Sequence, residues 1–124
     1  MRMKVEEFRV LLDNILEEIP EEYFVDLNGG VCLEEKAKIH VKSVGDELKI
    51  MGEYVRSSTL GRSIWIYYGS FMDIYGHCSR EKIYQELKKT VLHELTHHLE
   101  SLAGFRDLEV EDEVQLGLYL KSKE

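Results

Sequence analysis

Apolar side chains recur at helical spacing in two long stretches of the chain. In residues 3–19 they form one stripe, which consists of Val5, Phe8, Leu11, Leu12, Ile15 and Ile19. Pro20 ends this stretch, since proline disfavours helical geometry in the residue before it. In residues 79–103 the apolar face comprises Tyr84, Leu87, Val91, Leu95, Leu99 and Leu102. Ser79 is a favourable N-cap and Gly104 a favourable left-handed stop, so the pattern predicts one long helix between them.

Between these stretches the pattern changes to short runs of β-branched and aromatic residues. Residues 64–68, Ile-Trp-Ile-Tyr-Tyr, predict the clearest strand. Weaker strand patterns cover residues 23–27, 31–33 and 39–41, with an Asn-Gly-Gly turn between the first two. Glycines interrupt any period in residues 43–62, residues 71–75 predict a helical turn, and residues 110–120 predict a last helix. This order of elements favours an α+β fold, with a small mixed sheet packed against the helices.

The composition is that of one globular domain. The 124 residues suffice for one modest core, and no repeat, low-complexity tract or linker divides them, so we expect a single domain over residues 1–124. Hydrophobic residues make up 44% and charged residues 32%, which argues against a disordered chain. The net charge of -8 would repel a phosphate backbone, so no nucleic-acid partner is expected.

Two further features bear on the compartment. No apolar run approaches the roughly 20 residues of a membrane-spanning helix, so no membrane partner is expected. The first ten residues lack the apolar segment of a signal peptide, which predicts a cytoplasmic protein. Cys32 and Cys78 are accordingly expected to be reduced thiols.

Residues 93–97 read His-Glu-Leu-Thr-His, an H-E-x-x-H sequence within the second predicted helix. Because residues four apart lie on one helix face, His93 and His97 can close on one metal ion. Glu94 then lies beside the water on that metal, where it can take a proton. The two histidines fall almost opposite the apolar face, so they are not expected to be core residues. The motif therefore predicts zinc ligands at His93 and His97 and a general base at Glu94, whereas His98 is expected to pack or to support the ligands.

A catalytic zinc usually has three protein ligands and one open position. The carboxylates available after the motif are Glu100, Asp107, Glu109, Glu111, Asp112 and Glu113. Glu100 shares the histidine face but would have to reach back along the helix. Asp107 follows Gly104 in a Gly-x-x-Asp pattern, in which the glycine lets the chain turn back toward the metal. Asp107 is favoured, while a glutamate from the last helix, or a site with only two protein ligands, stays open.

The residues just described resemble the minimal-zincin metallopeptidase-like family of small bacterial proteins. The resemblance rests on the Glu-Ile-Pro ending of the first helix, the strand at 64–68, and residues 79–81 and 87–94 leading into the motif. Family members usually show H-E-x-x-H-x-x-G-x-x-D, and Asp107 matches its final position after a four-residue insertion ahead of Gly104. The resemblance implies a zincin-like fold and a zinc cofactor. It also implies that a peptide substrate lies along an edge strand above the metal, for which residues 64–68 are the candidate.

The most direct interpretation is a zinc-dependent metallopeptidase that hydrolyses peptide bonds of a peptide or protein substrate with water, using Glu94 as the base. The alternative is a catalytically weak or inactive module that binds the metal or peptides, which the small size favours. A metal-dependent ribonuclease is disfavoured by the negative net charge. The sequence leaves the substrate, the oligomeric state and the existence of catalytic activity open.

Overall fold

The computed structural model describes residues 2–39, 49–59 and 61–104. The elements follow the order α1 (Val5–Glu18), a short 3₁₀ helix (Glu21–Phe24), β1 (Gly30–Glu34), β2 (Lys38–Ile39), β3 (Lys49–Ile50), β4 (Gly52–Ser57), β5 (Gly61–Tyr67), α2 (Tyr68–Tyr75) and α3 (Arg80–Ala103). The mixture of helices with a three-stranded and a two-stranded sheet confirms the α+β fold class. Within the described ranges, no helix has the length and apolar character needed to cross a membrane.

The main sheet has three described strands in the order β1-β5-β4. Strand β5 pairs in parallel with β1 and antiparallel with β4, so that Ile64 lies opposite both Val31 and Tyr54. Strands β2 and β3 form a separate antiparallel pair. Strand β4 is therefore an edge of the sheet as far as the described residues define it.

The core lies between the sheet and the helices α1, α2 and α3. Its buried members are contributed by α1 (Phe8, Leu11, Leu12, Ile15), β5 (Ile64, Ile66), α2 (Phe71, Met72) and α3 (Ile83, Leu87, Val91, Leu95). Full burial of one such side chain stabilises the fold by about 1.5–3 kcal/mol. Most of the stripe predicted for α1 enters this core, and so do Leu87, Val91 and Leu95 of the stripe predicted for α3, whereas Leu99 and Leu102 are half-buried.

The close approach of β4 to α3 depends on Gly52. A Cβ atom at this position would lie 2.8 Å from Cγ2 of Thr90 and 3.2 Å from Cδ1 of Ile66. Distances this short are repulsive, so a larger residue would push the edge strand away from the helix. Gly52 interrupts the strand pattern in the sequence, and the same residue allows β4 to pack closely against α3.

Most predictions of regular structure are confirmed. The first helix and the strand at 64–68 are present, although Tyr68 already begins α2, and α2 is longer than the turn expected at 71–75. Ser79 caps α3 by accepting a hydrogen bond from the Lys82 backbone N–H at 3.1 Å, and Gly104 ends it with φ 71°. Both cysteines are free thiols.

One predicted strand is absent from the structure, and two strands lie where the sequence showed no pattern. The strand expected at 23–27 is wrong, because the chain forms a 3₁₀ helix there, in which the Tyr23 backbone N–H donates to the Pro20 carbonyl at 3.1 Å. Residues 43–62, which showed no period, contain β3 and β4. Of the strand expected at 39–41 only Ile39 is described, and the helix expected at 110–120 lies outside the described residues.

Candidate metal centre

Helix α3 brings the two histidines of the motif together on its outer face. The Nε2 atoms of His93 and His97 lie 3.2 Å apart, and the rings are almost perpendicular, at 88°. Two imidazole nitrogens bound tetrahedrally to one zinc at about 2.0–2.1 Å would be separated by about 3.3 Å. The spacing and the accessibility of the pair (His93 is exposed) therefore fit a shared zinc ion.

Glu100 lies on the far side of the His97 ring. Its Oε2 is 3.6 Å from Nδ1 of His97, whereas the nitrogen that faces His93 is Nε2. A carboxylate beside the second nitrogen of a ligating histidine fixes the orientation of the ring and makes it a better ligand. Glu100 is therefore better placed to orient the His97 ring than to serve as the third metal ligand.

The remaining third-ligand candidates cannot be placed in the same way. Asp107 and the carboxylates Glu109, Glu111, Asp112 and Glu113 lie outside the described residues. In the part of the chain that the structure describes, no group of three or more potential ligands comes together. The assignment of Asp107 stays a prediction.

Glu94 is buried next to the exposed His93, with 8% of its surface accessible. Burial raises the pKa of its carboxyl group to about 7, the negative charge of Glu53 acts in the same direction, and a hydrogen bond from the backbone of Tyr54 opposes both. A carboxylate that titrates near neutral pH can both accept and release a proton under ordinary conditions. This is the property a general base requires, and it appears only in the folded chain.

Glu53 is a further charged residue of the site that the sequence pattern did not single out. It lies on β4 and accepts hydrogen bonds from the Lys38 Nζ atom and from the Tyr67 hydroxyl, the latter at 2.6 Å. Burial alone would raise the pKa of Glu53, but these two hydrogen bonds and the charge of Lys38 hold it below its ordinary value. Glu53 therefore stays ionised and adds to the negative potential at Glu94.

A cavity of about 300 Å³ adjoins the motif, lined by Ile50, Met51, Gly52, Lys89, Thr90, His93 and Glu94. It lies where β3 and β4 face α3. A larger groove of about 790 Å³ lies elsewhere, between the end of α1 and the start of β1. The larger groove holds none of the motif residues, so the smaller cavity is the one that belongs to the candidate site.

The strand next to the site is not the one expected. Residues 64–68 were expected to provide the edge strand, but β5 lies in the centre of the sheet between β1 and β4. Both of its edges are paired with neighbouring strands, and its side chains Ile64 and Ile66 are buried because they face the core beneath the helices. The edge strand beside α3 is β4. The hydrogen bond from the Tyr67 N–H to the Met51 carbonyl shows that the backbone groups of Met51, and of every second residue after it, face β5. Because backbone groups alternate in direction along an antiparallel pair, the N–H groups of the intervening residues Gly52, Tyr54 and Arg56 point away from β5.

His98 packs inside the protein, as the sequence predicted. It is fully buried, with its Nδ1 atom 2.9 Å from the Tyr54 hydroxyl and its Nε2 atom 2.7 Å from the Val25 carbonyl. Both ring nitrogens are engaged by these contacts, which join α3 to β4 and to the segment after the 3₁₀ helix.

Comparison with known proteins identifies a matching family and a similar solved structure. The model of a family described as zincin-like metallopeptidase matches residues 30–118, which include the whole motif. A conserved hypothetical protein from Thermus thermophilus has 37% sequence identity to this chain and a TM-score of 0.70. That similarity covers 82% of this chain and 98% of the other. No curated protein matches the chain.

Proposed function

Because the chain belongs to the zincin-like metallopeptidase family, we propose that it is a zinc-dependent peptidase, with His93 and His97 as metal ligands and Glu94 as the general base. The observation that carries the proposal is the pair of Nε2 atoms 3.2 Å apart, with a buried carboxylate of pKa about 7 in the adjoining position of the helix. A direct hydrogen bond between the two rings would give the same spacing, so it is the burial of a carboxylate beside this pair that favours a metal site over a structural role.

In this proposal each residue has a separate task. When bound, zinc supplies Lewis acidity that polarises the scissile carbonyl and makes water more acidic. Glu94 takes the proton of the attacking water on its carboxylate and delivers it to the leaving nitrogen. Glu100 keeps the His97 ring oriented through Nδ1, and Asp107 is the proposed third ligand.

The substrate proposed is a peptide that lies along β4. The outward N–H and carbonyl groups of Gly52 and Arg56 are available to pair with an extended chain, in the manner of strand addition to a sheet edge. The backbone of Tyr54, which lies between these two residues, is hydrogen-bonded to the Glu94 carboxylate. A bound peptide would therefore pass directly beside the base.

The metal is tested by mass spectrometry of the zinc content. The wild type should bind about one zinc per chain, and His93→Ala or His97→Ala should lose most of it, while His77→Ala, an exposed histidine outside the motif, should keep it. Asp107→Ala should weaken zinc binding at least about tenfold if Asp107 is a ligand. Unchanged zinc content in a variant that carries both His93→Ala and His97→Ala would refute the metal site.

Hydrolysis is tested on a broad peptide library with zinc-loaded protein. Glu94→Gln should keep the zinc and lose about 10²- to 10⁴-fold in kcat, which is the usual contribution of a general base. Activity that survives in this variant contradicts the role of Glu94. Full zinc occupancy without turnover in the wild type would instead identify a module that binds metal or peptides without cleaving them.

A further inference from the structure

Helix α3 and strand β4 are joined by a buried pair, His98 and Tyr54. His98 has no accessible surface, and the centroids of the two rings lie 5.4 Å apart. The Tyr54 hydroxyl lies 2.9 Å from Nδ1 of the imidazole, and the Val25 carbonyl oxygen lies 2.7 Å from Nε2. Both ring nitrogens therefore have partners, and these partners come from two different segments of the chain.

The chemistry of these partners determines where the protons are. A carbonyl oxygen can only accept a hydrogen bond, so Nε2 of His98 must donate to Val25. In a neutral imidazole the other nitrogen then accepts, and the Tyr54 hydroxyl must be its donor. Only one orientation of the His98 ring satisfies both bonds, so the pair fixes the position of Tyr54 relative to α3.

Tyr54 also contacts the base itself. Its backbone hydrogen-bonds to the Glu94 carboxylate, which lies one helical turn before His98 on α3. This backbone group belongs to the outward-facing row of β4, where no strand of the described sheet competes for it. Tyr54 thus contacts α3 twice: its side chain bonds to His98, and its backbone bonds to Glu94.

We propose that His98 and Tyr54 are positioning residues, which keep the edge strand in the register that orients the Glu94 carboxylate toward the substrate. The inference rests on the proposed function only in the role given to Glu94. In this proposal His98 aligns the base and takes no part in metal binding.

The variants that test the proposal change the hydrogen bonds with little change in volume. Tyr54→Phe removes only the hydroxyl, His98→Leu removes both polar nitrogens, and His98→Gln restores one donor and one acceptor. The matched control is Tyr75→Phe, since the Tyr75 hydroxyl also hydrogen-bonds to α3, at Glu86 and a distance of 3.2 Å. All variants are measured as zinc-loaded protein comprising residues 1–124.

The first measurement is hydrogen exchange of the amide at position 54. The bond to Glu94 protects this amide in the wild type, and Tyr54→Phe and His98→Leu should speed its exchange by about tenfold or more, as expected for local opening of the strand. His98→Gln should restore part of the protection, and Tyr75→Phe should leave the rate unchanged. Unchanged exchange in folded Tyr54→Phe overturns the proposal, even if His98→Leu fails to fold.

The second measurement is the hydrolysis of the best library peptide. Tyr54→Phe should lower kcat by about ten- to a hundredfold, because small displacements of a catalytic group have effects of this size, while KM and zinc content stay the same. A change in KM alone would also overturn the proposal. If the wild type hydrolyses nothing, the proposed function fails, whereas the exchange measurement still decides whether His98 and Tyr54 align Glu94.

Discussion

Replacement of Glu94 by glutamine should make the metal-free protein more stable at alkaline pH. In the folded chain the pKa of Glu94 is raised from an ordinary value of 4.5 to about 7, mainly by burial. The folded state therefore holds this proton more tightly than the unfolded state. The protonated side chain contributes its full stability below pH 4.5, and this contribution is lost as the pH rises through 7.

The size of the effect follows from the two pKa values. A pKa difference of about 2.5 corresponds to about 3 kcal/mol, and Glu94 is only 8% exposed, so little of this is screened by solvent. Glutamine has nearly the same shape and cannot ionise. Titratable groups remote from Glu94 contribute equally to both proteins and cancel, and the repulsion by Glu53 is already part of the raised pKa of Glu94.

The assay is urea unfolding followed by circular dichroism, at several pH values from 5 to 8.5. The protein is stripped of metal beforehand, because a cation next to Glu94 would favour the ionised carboxylate. The advantage of Glu94→Gln over the wild type should grow by about 2–3 kcal/mol across this range. Glu17→Gln, which alters an exposed carboxylate on α1, should show no such growth. Parallel stability curves for Glu94→Gln and the wild type would refute the argument that burial perturbs this carboxyl group.

Two further substitutions test how the site is held in place. Gly52→Ala should destabilise the protein by about 1–3 kcal/mol in thermal or urea unfolding, since the added Cβ would meet Thr90 Cγ2 at 2.8 Å, and Thr90→Ser in the same chain should recover part of the loss. Equal stability of Gly52→Ala and the wild type would show that β4 does not need this close approach. Ser79→Ala should cost about 1 kcal/mol in the same measurement, because the Lys82 N–H loses its side-chain acceptor at the start of α3, while Ser58→Ala, at an exposed loop position, should cost much less. Equal losses in the two serine variants would contradict the capping role.

The sequence by itself determined the parts of this protein that depend on neighbours along the chain. The apolar periodicity and the end signals at Ser79 and Gly104 predicted α3 from its first to its last turn, because N-capping and left-handed termination act within a few residues. The spacing of His93 and His97 predicted their meeting for the same reason, since four residues make about one helical turn. The family resemblance read from these residues is confirmed by the match over residues 30–118.

Only the tertiary structure decided which strand borders the site and how the base is tuned. Strand β4 has no clear pattern of its own, because Gly52 serves a contact with α3 and the charge of Glu53 is satisfied by Lys38, a residue 15 positions earlier. Whether a strand is central or at an edge depends on its partners, so the strongly apolar β5 could not be distinguished from an edge strand in advance. The raised pKa of Glu94 likewise depends on burial and on Glu53, which folding brings near it. Such effects arise between residues distant in sequence, and no local pattern carries them.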